Sequence, residues 1–158
     1  MNGAGSQLSE IIIGNDLNND IYDGNVLSDV GGGTDVFIGG AGNDTLRSGG
    51  IDLTPEGDVL DGGSGDDHLS TGESSRGDIL LGGTGNDTII SLGTEEELYG
   101  GAGDDVLTGA RGADTLHGGT GNDRLDGGYA HSAEAGRDIL QGGTGDDYLN
   151  GNNGEDTY

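Results

Sequence analysis

The chain has 158 residues, of which 38 are Gly and 30 are Asp or Glu, against five Arg and no Lys, for a formal net charge of −25. With 29% hydrophobic residues, one Pro, one Phe, no Trp and no Cys, it lacks the material for an ordinary globular core, a disulfide framework or a Cys-ligated zinc scaffold, and on composition it matches chains that stay disordered. The charge argues against nucleic acid and anionic membranes as partners, and no apolar run approaches the ~20 residues of a transmembrane helix.

Residues 1–13 read as a ragged first row ending in Glu10 and Ile12. They show neither the basic n-region nor the apolar h-region of a cleavable signal peptide. Residues 14–158 read as one array of nine-residue rows. An early row carries Asp20 and Tyr22, and the next carries Asp35 and Phe37. The first clean copy follows: Gly39-Gly40-Ala41-Gly42-Asn43-Asp44-Thr45-Leu46-Arg47. Further clean copies span 62–70, 82–90, 100–108, 118–126 and 142–150. Between them lie rows ending in Asp58/Leu60, Asp78/Leu80, Glu96/Leu98, Asp114/Leu116, Asp138/Leu140 and Asp156/Tyr158. The unit is Gly-Gly-x-Gly-x-Asp-x-(apolar)-x. Its ending predicts a three-residue strand with one side chain in and two out. Tyr22 and Tyr158 are counted among the inward set.

The nonapeptide resembles the RTX calcium-binding repeat. The six clean copies carry the resemblance, which extends over residues 14–158. It implies an all-β fold, a right-handed parallel β-roll (β-solenoid) of about seven turns, with two nonapeptides per turn. Alternate rows then lie on opposite edges of the roll. The clean rows fall on one edge, without insertions. Each has Asn or Asp before its Asp (Asn43, Asp66, Asn86, Asp104, Asn122 and Asp146), residues that tolerate left-handed turn geometry and stay solvated. The other edge carries longer loops at 24–34, 48–57, 71–77 and 127–137, together with Glu96.

In each Gly-Gly-x-Gly stretch the backbone turns sharply and points carbonyl oxygens at one spot, which the Asp closes with a carboxylate. Two stacked turns would give an all-oxygen site of six to eight ligands, which suits Ca²⁺ rather than a softer metal. The expected carboxylate ligands are Asp44, Asp67, Asp87, Asp105, Asp123 and Asp147 on the clean edge, and Asp20, Asp35, Asp58, Asp78, Asp114, Asp138 and Asp156 in the remaining rows. The expected carbonyl ligands are those of Gly39, Gly40, Ala41 and Gly42; Gly62, Gly63, Ser64 and Gly65; Gly82, Gly83, Thr84 and Gly85; and Gly100, Gly101, Ala102 and Gly103. To these are added Gly109, Arg111 and Gly112; Gly118, Gly119, Thr120 and Gly121; and Gly142, Gly143, Thr144 and Gly145. About eight to ten ions would nearly cancel the charge, so metal binding and folding should be one event.

Other signals are weaker. Arg76-Gly77-Asp78 looks like an integrin tripeptide but is read as the repeat's own turn ending after an Arg. His68, His117 and His131 lack metal-ligand spacing, and the Thr residues of the rows form too interrupted a ladder to bind ice. Paired acids recur in every second row, as structural ligands do, so no catalytic residue is assigned and the array is not expected to be an enzyme. The resemblance implies type I secretion from Gram-negative bacteria, with folding in extracellular calcium. The chain is accordingly read as a fragment of a larger secreted toxin, enzyme or adhesin, with calcium and the secretion machinery as partners. Two other roles stay open: recognition of a receptor or glycan through the inserted loops, and an accessory module of a secreted epimerase, lipase or protease.

Overall fold

A computed structural model describes residues 11–22, 34–48, 57–73, 76–128 and 136–158. The tips of the four long loops and residues 1–10 lie outside the described residues, as does His131.

The described residues form fourteen strands and no helix: β1 Ile11–Ile13, β2 Asp20–Tyr22, β3 Val36–Ala41, β4 Thr45–Arg47, β5 Val59–Ser64, β6 His68–Ser70, β7 Ile79–Thr84, β8 Thr88–Ile90, β9 Glu97–Ala102, β10 Val106–Thr108, β11 Thr115–Thr120, β12 Arg124–Asp126, β13 Ile139–Thr144 and β14 Tyr148–Asn150. Odd strands make one seven-stranded sheet, β1-β3-β5-β7-β9-β11-β13, and even strands make the other. Neighbours pair in parallel and in register, as in Leu60↔Leu80 and Leu69↔Ile89. The fold is thus an all-β parallel solenoid. Five coils, from β3/β4 to β11/β12, are stacked on both sides; the first and last coils are its ends. The enclosed count is therefore below the expected seven.

The interior is one side chain deep in each sheet. Phe37, Leu60, Leu80, Leu98, Leu116 and Leu140 of the odd strands meet Ile21, Leu46, Leu69, Ile89, Leu107 and Leu125 of the even strands. Ile12 and Leu149 pack against the ends of this column. From β3 on, the odd strands are six residues long rather than three, because the Gly-Gly that was expected to begin the turn pairs across coils, as Gly63 does with Gly83. The second inward position of each of these strands is then a glycine, Gly62 in β5.

Two inward assignments fail. Ile21, not Tyr22, pairs with Leu46 and is buried; Tyr22 stands opposite Arg47. A narrow aliphatic interior has room for Ile but no partner for a Tyr hydroxyl. Tyr158 is 69% exposed, with no coil stacked on it, and its hydroxyl accepts the N–H of Gly151 at 3.1 Å.

Candidate functional site

On the clean edge, from β3 on, each odd strand turns into the next even strand through three residues, such as Gly65, Asp66 and Asp67 between β5 and β6. The glycine of that turn has positive φ (126° at Gly65), and a Cβ there would lie 2.0 Å from the carbonyl oxygen of Gly42 one coil back. Only glycine lets the turns stack this closely.

The carboxylates form a continuous column. The main-chain N–H of Asp44 donates to Oδ1 of Asp67 at 2.7 Å. Asp67 donates likewise to Asp87, Asp87 to Asp105, Asp105 to Asp123 and Asp123 to Asp147, at 2.8–2.9 Å. The irregular edge repeats the pattern despite its insertions, from Asp35 through Asp58, Asp78, Glu96, Asp114 and Asp138 to Asp156. One oxygen of each carboxylate is thereby fixed. The other is buried without any hydrogen-bond partner at Asp44, Asp67, Asp87, Asp105 and Asp123, and at Asp78, Glu96 and Asp114. Buried polar atoms are nearly always partnered, so two columns of bare carboxylate oxygens call for a cation or a proton.

The first glycine of each clean row faces this oxygen. A Cβ on Gly62 would lie 2.4 Å from Oδ2 of Asp67 and 2.8 Å from the carbonyl oxygen of Gly82 in the next coil. Gly39, Gly82, Gly100 and Gly118 repeat the arrangement, so a carboxylate oxygen and a carbonyl oxygen from successive coils converge on each glycine. The carbonyls of Ser64, Thr84, Ala102, Thr120 and Thr144 each accept an N–H from the preceding coil at 2.7–2.9 Å and retain a second lone pair.

Electrostatics agree with the geometry. Burial pushes Asp67 and Asp138 up to about 6, Asp58 and Asp105 to about 7 and Asp114 to about 8. Burial also raises Asp87, Asp123 and Glu96, the last reinforced by the charge of Asp78. Each column resists holding its full negative charge unless positive charge enters. Among the described residues no three His, Cys, Asp or Glu side chains converge. A cation here would therefore be held by single carboxylates of successive coils together with main-chain carbonyls. Those donors are all hard oxygens, the set that Ca²⁺ takes.

Some sequence assignments need amending. Asp20 stands outside the column, paired with Arg47 at 3.6 Å; Asn19 takes its place and donates its N–H to Oδ1 of Asp44 at 2.7 Å. Glu96, left out of the expected ligands, occupies the column fully, and its alignment with the Asp residues was the available signal. The Asn or Asp before each clean-row Asp does not take positive φ. Its side-chain oxygen instead accepts the N–H of its counterpart in the next coil, from Asn43 to Asp66 and on through Asn86, Asp104 and Asn122 to Asp146, at 2.7–3.1 Å. An Asx residue suits that position because it carries a short acceptor. Asp78 of the integrin-like tripeptide is 1% exposed and so is not presented to a receptor.

A family model of the RTX calcium-binding nonapeptide repeat matches residues 29–50, 54–89, 74–94, 99–128 and 132–158, well over half of the chain. The chain belongs to the RTX calcium-binding repeat family. No curated protein matches it. The RTX match spans rows of both edges. As an RTX array the chain is a calcium-binding repeat module, and the hard oxygen donors of the two columns are of the kind that ion takes.

Proposed function

We propose that this RTX module folds when Ca²⁺ enters the two carboxylate columns, and that it does so outside the cell. It thereby aids type I secretion and then serves as a rigid scaffold for a larger secreted toxin, enzyme or adhesin, with no catalysis of its own. The observation that carries this reading is the run of buried carboxylate oxygens without partners. Stacked at strand spacing (~4.8 Å), such charges repel in the metal-free chain. A chain that stays unfolded in a low-calcium cytosol passes a secretion channel easily and is locked by millimolar calcium outside. The test is far-UV circular dichroism: little strand signal in chelator, a cooperative rise with added Ca²⁺, and no equivalent rise with Mg²⁺ at the same ionic strength. A strand signal that ignores calcium would overturn the proposal.

A second reading, recognition through the irregular edge, has one specific support. An open groove of about 440 Å³ lies there, lined by Arg76, Thr94, Glu95, Gly112, Ala113, Gly136 and Arg137. It gathers two of the five arginines of a strongly acidic chain. Replacing both arginines with Ala would abolish ligand capture on this reading while leaving calcium-driven folding intact.

A further inference from the structure

The irregular edge is built in two different ways along its length. Its turns start at Ser48, Thr71, Ser91, Gly109, Gly127 and Gly151. These positions are equivalent: the N–H groups of the first five donate, in the same manner, to the carbonyls of Ser70, Ile90, Thr108, Asp126 and Asn150 in the following coil.

The last three starts share the clean edge's glycine-to-carboxylate contact, although the next-coil carbonyl oxygen that meets Gly62 is not among their nearest atoms. A Cβ on Gly109, Gly127 or Gly151 would lie 2.6, 2.3 or 2.3 Å from Oδ2 of Asp114, Asp138 or Asp156, the relation Gly62 has with Asp67. A second glycine column is reproduced as well. A Cβ on Gly154 would meet the carbonyl oxygen of Gly136 at 2.1 Å, and one on Gly136 would meet that of Gly112, as Gly65 meets Gly42. Asp114 is fully buried, and its Oδ2 has no hydrogen-bond partner.

The first three starts carry hydroxyl side chains at the equivalent position. Ser48, Thr71 and Ser91 are buried at 5%, 4% and 0% exposure. The Thr71 hydroxyl donates to Ser91 Oγ at 3.2 Å, and Ser91 Oγ accepts the N–H of Gly93 at 3.2 Å. The Ser48 hydroxyl hydrogen-bonds the carboxylate of Asp58. Asp78 and Glu96 each keep an unpartnered oxygen, but among the described residues no glycine Cβ would meet either carboxylate as Gly109 meets Asp114.

We infer that only the final coils of the irregular edge, around Asp114, Asp138 and Asp156, take calcium, and that the coils of Asp58, Asp78 and Glu96 are held by a metal-independent hydroxyl clasp. This rests on the calcium reading above and sharpens it. Asp44 to Asp147 on the clean edge leave five intervals between successive carboxylates, and Asp114 to Asp156 leave two. The chain would then bind about seven ions rather than eight to ten.

Counting bound calcium per chain by native mass spectrometry at saturating Ca²⁺ tests the division, with circular dichroism on the same samples. The parent chain should hold about seven ions. Asp114→Asn with Asp138→Asn should hold about two fewer, and Asp58→Asn with Asp78→Asn and Glu96→Gln should hold the full number. Gly127→Ser, which fills the cradle as Ser91 does, should also lose ions, so the idea stays testable if the carboxylate double variant fails to fold. The division is overturned if the triple variant loses ions as the double does, or if both the double variant and Gly127→Ser keep them all. Absence of calcium from every chain would instead overturn the calcium reading itself.

Discussion

At the scale of single residues, glycine and aspartate act as a pair. Gly62 leaves room for the carboxylate of Asp67, and a methyl group there would come within 2.4 Å of Oδ2. Gly62→Ala should therefore destabilise the calcium-loaded fold by about 1–3 kcal/mol, the usual cost of overpacking, read as a lower urea midpoint. Asp105→Asn keeps the oxygen that accepts the N–H of Asp87 but removes one ligand charge. It should raise the calcium concentration needed for half-folding roughly tenfold, since ligand charge sets affinity in such sites. An unchanged midpoint would mean that Asp105 does not meet the ion. The partners of these residues were visible in the sequence as a fixed Gly-to-Asp spacing of five. The slip from Asp20 to Asn19 was not, because alignment on an acidic residue favoured Asp20, whereas packing placed Ile21 inward and shifted the row by one.

At the scale of the strand and its coil, each layer rests on one inward side chain per strand. Leu98 is fully buried between Leu80 and Leu116. Leu98→Ala should cost about 2–5 kcal/mol in saturating calcium, with little chance for a one-side-chain-deep interior to collapse around the gap. The acidic columns set the response to pH. The buried carboxyls have folded values near 6 to 8, against 3.8 for an ordinary Asp. Raised values favour the protonated fold, so their support of the metal-free fold is complete below about pH 4 and is lost as pH rises through 6 to 8. Strand signal in chelator should thus grow as pH falls from 8 to 4; a signal that is flat across that range would contradict the assigned burial.

The repeat made the parallel pairing, the two edges and the acidic columns legible, because a period of two rows per coil dictates which residues stack. Three features were hidden. The odd strands run through Gly-Gly because a stacked neighbour offers main-chain partners that no local signal announces. The Asx side chains became acceptors for the next coil's N–H for the same reason. Ser48, Thr71 and Ser91 lie far apart in sequence and form a column only once the coils are stacked.

At the scale of the whole molecule, the composition makes sense as the composition of a calcium-loaded solenoid. A net charge of −25 is self-repelling in the bare chain. About seven Ca²⁺ would supply roughly +14, placed inside the columns where burial concentrates the repulsion. The two outer faces of the solenoid also differ. The even sheet presents mostly polar residues, while the outward positions of β1, β3, β5 and β7 include Ile11, Ile13, Val36, Ile38, Val59, Ile79 and Leu81.

In this picture calcium between carboxylates holds the coils together. Residue-resolved amide hydrogen exchange at Asp44, Asp67, Asp87, Asp105 and Asp123 tests it most directly, since each of these N–H groups donates to the next carboxylate of the column. Strong protection is expected in millimolar Ca²⁺, and exchange at unfolded-chain rates in chelator at pH 7.5. Protection that survives removal of calcium would contradict it.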